Sequence, residues 1–277
     1  MPPRAATPST ATPDRSPLGL RHGEVERLRR LLRRASARAS ERAFVIEGPK
    51  LLDEALRAGV TVERVDVAAG ADGVDGVLER ARAAGIDVAR LAPGVVERVA
   101  DAVTPQPILA VLPSVTVPWT AVAEATFVVV GIDVQDPGNA GTIMRSAAAA
   151  GAGAVLFAGA SVDPLNPKTV RASAGSVFHV PVVDGGEPAA MLDQVGNRGL
   201  RRLGATADEG TACDEADLTV PVAIVVGNEA HGLPTGLPLD GMLRIPMAGP
   251  TESLNVAMAT SILCYEVSRQ RRLIGTR

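Results

Sequence analysis

The chain has 277 residues, 46% hydrophobic and 21% charged, with 28 basic against 31 acidic side chains; at ~150 residues per domain this predicts two globular domains and excludes a disordered chain. No apolar run reaches the ~20 residues of a membrane span, and Cys213 and Cys264, the two cysteines, stand too far apart for a disulfide scaffold or a Cys-based zinc site. Four Phe, one Tyr and one Trp are too few for a single-strand binder that stacks bases on aromatic rings.

Residues 1–23 begin with a Pro-, Ser-, Thr- and Ala-rich stretch without the apolar core of a signal peptide, which predicts a flexible tail and a cytoplasmic protein. The net charge of −3 is unevenly spread: residues 1–50 hold 11 basic and 5 acidic side chains, leaving 17 and 26 for residues 51–277. Glu24 to Arg42 reads as one helix, with Leu28, Leu31, Leu32, Ala35 and Ala39 on its apolar stripe. Arg27, Arg30, Arg34 and Arg38 then lie along another face, either as a phosphate-tracking stripe or as an ordinary solvated surface.

Apolar strands and helical segments alternate from there. Strands are expected at Phe44–Glu47, Val62–Val67, Asp87–Leu91 and Ile108–Leu112, with helices near Pro49–Ala58, Val74–Ala84 and Gly94–Ala100, giving a small α/β domain over residues 24–112. Residues 113–125, with prolines at 113 and 118, read as a linker. A second domain, 126–277, is expected to carry strands at Thr126–Ile132, Ala154–Phe157, Phe178–Val183, Leu203–Ala207, Ala223–Val226 and Leu243–Ile245, with a long final helix from about Asn255. These runs are nearly continuous Val, Ile, Ala and Leu, the pattern of a parallel sheet covered on both faces. From Val256 to Tyr265 the final helix has almost no polar face, which predicts burial in the core or against a second subunit.

Ligands of open parallel sheets sit beyond the carboxyl ends of the strands. Three loops there stand out. The first runs from Asp133 through Asp136-Pro137-Gly138-Asn139 to Arg145; alone it reads as a strand–turn–helix corner with Asn139 as helix cap, although Arg145 is the only charge between Asn139 and Gly151. The second, Val226 to Leu233, has Gly227, where a ligand can approach the backbone, and Glu229 at the start of the following element; alone it reads as a capped turn. The third, Ile245 to Asn255, offers Ser253 and Asn255, both good helix caps. No GxGxxG follows a strand, and no GxxxxGK[ST], HExxH or GxSxG occurs. His22, His179 and His231 are widely spaced, so no metal site is expected.

In order, the loops resemble the three motifs of the SpoU (TrmH-type) family of RNA ribose 2′-O-methyltransferases, within the SPOUT class. Asp136-Pro137-x-Asn139-x-Gly141-x-x-x-Arg145 is similar to the first, Gly227-x-Glu229-x-x-Gly232 to the second, and Ile245-Pro246-Met247 with Ser253-Leu254-Asn255-Val256 to the third. Asn166-Pro167-Lys168 and Arg171-Ala-Ser173-Ala-Gly175-Ser176 are also similar to family sequence. Phe44-Val-Ile-Glu47-Gly48-Pro-Lys50 resembles the family's ribosomal-protein-like substrate-binding domain, so the likeness spans about residues 24–274. At Gln106-Pro107-Ile108 the sequence departs from the Gln-Gly usual in the family, and Pro107 removes an amide donor from that turn.

The resemblance implies a parallel-sheet domain with a deep trefoil knot, bound S-adenosylmethionine, a homodimer and methylation of RNA, with ribosomal RNA favoured over transfer RNA. It carries Asn139, Arg145, Glu229, Ser253 and Asn255 over as active-site groups, and places the cofactor against Thr206, Ala207, Gly227, Ile245 and Leu254. RNA is expected at Arg30, Arg34, Arg38, Lys50 and Arg171. Two rival readings are a noncatalytic RNA-binding or ribosome-assembly factor of the same fold, and a small-molecule α/β enzyme that leaves the arginine stripe unexplained.

Overall fold

The computed structural model describes residues 16–100, 104–250 and 252–275; most of the expected flexible tail therefore lies outside the described residues. The front of the chain forms two helices, α1 (Gly23–Arg33) and α2 (Ala35–Glu41), rather than the single helix expected. Arg34 between them is extended (φ −124°, ψ 116°), which turns the chain. Val25, Leu28, Leu31 and Leu32 of α1 are buried as their spacing requires, but the turn rotates α2 so that Ala35 and Ala39 face solvent and Arg38 faces inward.

Next come β1 (Ala43–Glu47), α3 (Pro49–Arg57), β2 (Arg64–Ala68), α4 (Asp75–Ala83), β3 (Asp87–Leu91), α5 (Val95–Val99) and β4 (Ile108–Pro113). The four strands form a mixed sheet in the order β1-β4-β2-β3, with β4 antiparallel to both neighbours and β2 parallel to β3. The sequence departure at Gln106-Pro107 is accommodated: the Gln106 amide donates to Glu47 Oε1 at 2.8 Å, and the Pro107 carbonyl accepts from Ala68.

A 3₁₀ turn at Trp119–Val122 leads into the larger sheet. Its elements are β5 (Phe127–Ile132), α6 (Pro137–Ala149), β6 (Ala154–Ala158), α7 (Pro167–Ala172), β7 (Val182–Asp184), α8 (Pro188–Gly196), β8 (Arg201–Thr206), β9 (Thr211–Ala212), β10 (Val222–Val226), β11 (Gly241–Arg244) and α9 (Val256–Gly275). All seven strands pair in parallel, in the order β7-β6-β5-β10-β8-β11-β9. Every residue of β5, β6 and β10 is buried, because apolar clusters cover the sheet on both faces. The strand expected from Phe178 starts only at Val182: Ser176–Phe178 form a 3₁₀ turn, and Pro181 lacks an amide for the ladder. The two-residue β9 carries too little periodicity to read from sequence.

One buried apolar cluster runs from Ile46 (β1), Leu52 (α3) and Ile108 (β4) in the front unit to Ile143 (α6), Phe157 (β6) and Val170 (α7) in the larger one. The two units thus share core contacts as well as a linker.

Candidate active site

The loop after β5 is shaped by Asp133, whose backbone is left-handed (φ 55°) and whose Oδ1 accepts from the Ala160 amide at 2.6 Å. Asp136 then caps α6: its Oδ1 accepts the Asn139 amide at 2.8 Å, and Pro137 fills the first helical position. Asn139 is therefore not the cap that its residue type suggests, and its side chain reaches across the site instead. The Asp directly before Pro-Gly was the readable signal.

Asn139 Nδ2 donates to Glu229 Oε1 at 2.9 Å, and Asn139 Oδ1 accepts from Asn255 Nδ2 at 3.0 Å. Asn255 Oδ1 caps α9 by accepting the amides of Ala257 and Met258. One hydrogen-bonded chain thus ties together all three loops singled out in the sequence. Glu229 opens no helix of its own; residues 228–232 form a turn closed by reciprocal amide bonds between Asn228 and Gly232, both 2.9 Å. The helix start it meets is that of α6, where it also accepts from the Asp136 amide at 3.3 Å. Partial burial works to raise the Glu229 pKa, but the bonds from Asn139 and from backbone amides outweigh it, so the carboxyl lies below its ordinary value and is charged.

Gly227 is required by the turn itself, since a Cβ there would lie 2.3 Å from the Gly232 carbonyl. Asn228 went unnoticed in the sequence, yet it holds this turn: its Oδ1 accepts from the amides of Ala230 (2.9 Å) and His231 (3.1 Å), and its Nδ2 donates to the Asp133 carbonyl at 2.9 Å. An Asn after the glycine that ends an apolar strand is the turn-forming signal that would have found it.

A cleft of about 440 Å³ opens beside this array, within the size range of small-molecule sites. Thr206, Ala207, Gly227, Glu229, Ile245, Ser253 and Leu254 all line it, at the carboxyl ends of β8, β10 and β11. Arg145 does not. It is exposed on α6, about 9 Å along the helix axis from Asn139, and has no hydrogen-bond or ion-pair partner among the described residues.

The basic side chains expected to meet RNA fare unequally. Arg34 and Lys50 are exposed, and Arg30 pairs with Glu41 at 3.2 Å while remaining about half exposed. Arg38 is not on the surface: at 5% exposure it donates to the Leu31 carbonyl at 2.7 Å and pairs with Asp163 at 2.6 Å. It satisfies a carbonyl that α1 leaves open at its end. Arg171 is turned toward the small sheet, 2.8 Å from the buried carboxylate of Glu47.

Residues 126–265 match the SpoU rRNA Methylase family, and residues 23–110 match the MRM3-like substrate binding domain. The 23S rRNA (guanosine(2553)-2′-O)-methyltransferase RlmP of Bacillus subtilis is 35% identical over 232 residues, 83% of this chain and 90% of that protein. A 23S rRNA (uridine(2479)-2′-O)-methyltransferase of Streptomyces viridochromogenes is 40% identical over 142 residues, covering 49% of this chain and 50% of its own. The crystal structure of the SpoU methyltransferase AviRb from the same organism, in complex with AdoMet, superposes with a TM-score of 0.83 at 27% identity, covering 91% of this chain and 99% of that one. The chain belongs to the SpoU rRNA methylase family.

Proposed function

We propose that the protein transfers a methyl group from S-adenosylmethionine to a ribose 2′-hydroxyl of 23S ribosomal RNA. The observation that carries this reading is the Asn255–Asn139–Glu229 chain: it joins three separate loops at the carboxyl end of the parallel sheet, beside a cleft of nucleoside size. The residues present fit the cofactor. Leu233, Met242 and Leu254 give an apolar wall for an adenine ring, backbone at residues 206–207, 227 and 245 can bond its edges, and Glu229 offers charge to a cationic centre. When bound, S-adenosylmethionine supplies a methyl carbon already activated by its sulfonium charge.

The protein then has to place the hydroxyl in line and ease the loss of its proton. Asn139, Asn255 and Ser253 position the ribose. Arg145 keeps its own proton, as guanidinium does in proteins, and acts as a donor that orients the substrate and stabilises charge developing on the oxygen. In the front domain, which we take to be ribosomal-protein-like, Arg30, Arg34 and Lys50 grip the RNA backbone.

Three further features belong to this reading. A trefoil knot is supported by the strand order, in which the late strand β10 is inserted between β5 and β8. A homodimer is supported by α9, which leaves Met258 62%, Ile262 40% and Tyr265 60% exposed along one face. The site of work is the cytoplasm, where ribosomal RNA is found; no helix among the described residues is long and apolar enough to cross a membrane.

Single-turnover methylation of 23S rRNA tests the assignment. Arg145→Ala is expected to lose about 100-fold or more in rate with unchanged S-adenosylmethionine affinity, and Arg145→Lys to recover part of it. Near-normal rate in the alanine variant removes Arg145 from the mechanism. A wild-type chain that binds no S-adenosylmethionine by calorimetry is instead the noncatalytic RNA-binding factor.

A further inference from the structure

Among the described residues, side-chain bonds cross from the front unit to the catalytic unit from three different front elements. Arg38 of α2 pairs with Asp163 at 2.6 Å, Glu47 at the end of β1 with Arg171 at 2.8 Å, and Glu54 of α3 with His179 Nε2 at 2.7 Å. All three land on one short stretch, residues 163–179, which contains α7. Two of the groups are buried, Arg38 at 5% and the Glu47 side chain at 1% exposure, so each is held by its partner and not by water. Gly175 brings the backbone of this stretch against Glu54, where a Cβ would lie 2.6 Å from its Cγ.

The same stretch is fastened to the elements that carry the active site. At its head, Val162 donates its amide to the Val134 carbonyl, and the Val134 amide bonds Ser161 Oγ; Val134 lies two residues before the Asp136 cap of α6. At α7 the contact with α6 is backbone against backbone. A Cβ on Gly141 would lie 2.4 Å from Ala172 Cβ and 2.7 Å from both the Ser173 nitrogen and the Thr169 carbonyl. At this contact the nearest atoms are backbone and a Cβ, so no flexible side chain is there to absorb a shift, and Asn139 and Arg145 ride on α6.

We propose that residues 163–179 are a rigid strut through which the docked front domain sets the position of α6, and that Glu47 and Arg171 are positioning residues for methyl transfer. Arg171 acts through Glu47 and α7, and it is not an RNA contact. This rests on the methyltransferase reading above.

The test uses the full chain, 23S rRNA and four proteins: wild type, Arg171→Ala, Glu47→Gln and the double variant. Glu47→Gln keeps an acceptor for the Gln106 amide and turns an uncharged NH₂ toward Arg171, so it removes both the charge and the acceptor on that side. Each single variant is expected to lower the rate at saturating RNA by about tenfold, and the double variant to be no slower than the worse single. S-adenosylmethionine affinity and the salt dependence of RNA binding stay as in wild type. Hydrogen exchange of the α6 amides, measured without RNA, is expected to quicken in both singles. The proposal is overturned if Arg171→Ala weakens RNA binding and reduces the log–log salt slope by ~0.7–0.9 while Glu47→Gln changes nothing, which makes Arg171 a phosphate contact. Unaltered rates and unaltered α6 exchange overturn it as well. If wild type methylates no 23S rRNA, the functional reading fails, and the exchange measurement decides the strut alone.

Discussion

The two ends of the seven-stranded sheet are finished in opposite ways. At the amino ends of β5 and β10, α9 returns and Arg271 donates to the carbonyls of Thr126, Leu218 and Val220, while Gln270 fastens the loop between β9 and β10 by donating to the Cys213 and Ala216 carbonyls and accepting the Leu218 amide. Arg271 also stacks over Phe127, 5.6 Å from the ring centroid. At the carboxyl ends, side chains from three loops bond one another beside an open cleft. One end uses its polar groups to fasten the last helix; the other arranges them toward a space. A polar cluster at a sheet end is thus informative about function when its partners are other side chains and a cavity adjoins it.

Substitutions should separate the ends cleanly. The largest effect is expected from Asn139→Ala, which disconnects Glu229 from Asn255: single-turnover methylation should fall by about 100-fold or more, with the melting temperature little changed. Loss of fold with no specific loss of rate breaks the contrast. Arg271→Ala should do the reverse. It removes the side-chain donor from the half-buried Leu218 carbonyl and the exposed Val220 carbonyl, and one of two donors from the Thr126 carbonyl, and is expected to cost about 1 kcal/mol in denaturant unfolding, while the folded fraction methylates RNA at the normal rate. The smallest effect lies outside both ends: Arg34→Ala, exposed on the front unit, should alter neither melting nor the rate at saturating RNA, and should reduce the log–log salt slope of binding by ~0.7–0.9.

The parallel sheet was legible because its strands are buried on both faces and so read as unbroken Val, Ile and Ala runs; β5 and β10 lie within a residue of their expected bounds. The three loops were legible as places, and the family likeness supplied roles for them. What stayed hidden depends on partners distant in sequence. Nothing near Arg38 announces that Asp163, 125 residues on, will bury it, and no Gly or Pro marks the turn at Arg34 that reverses which face of α2 looks inward. Asn139 was found as a residue but assigned to the wrong bond, since a helix-start Asn looks like a cap until the neighbouring Asp136 is seen to fill that role.

The array of amides at the site has a fixed sense, imposed from one end. A charged carboxylate can only accept, so Glu229 obliges Asn139 to present its NH₂; Asn139 is left presenting oxygen to Asn255, which must then give its own NH₂ and keep its oxygen for the two amides that start α9. Neither asparagine can flip without losing bonds at both of its atoms. Under the proposed function the ribose meets dipoles already aligned, and aspartate at position 139, despite near-identical shape, would set like charges side by side and undo that alignment from the first link onward.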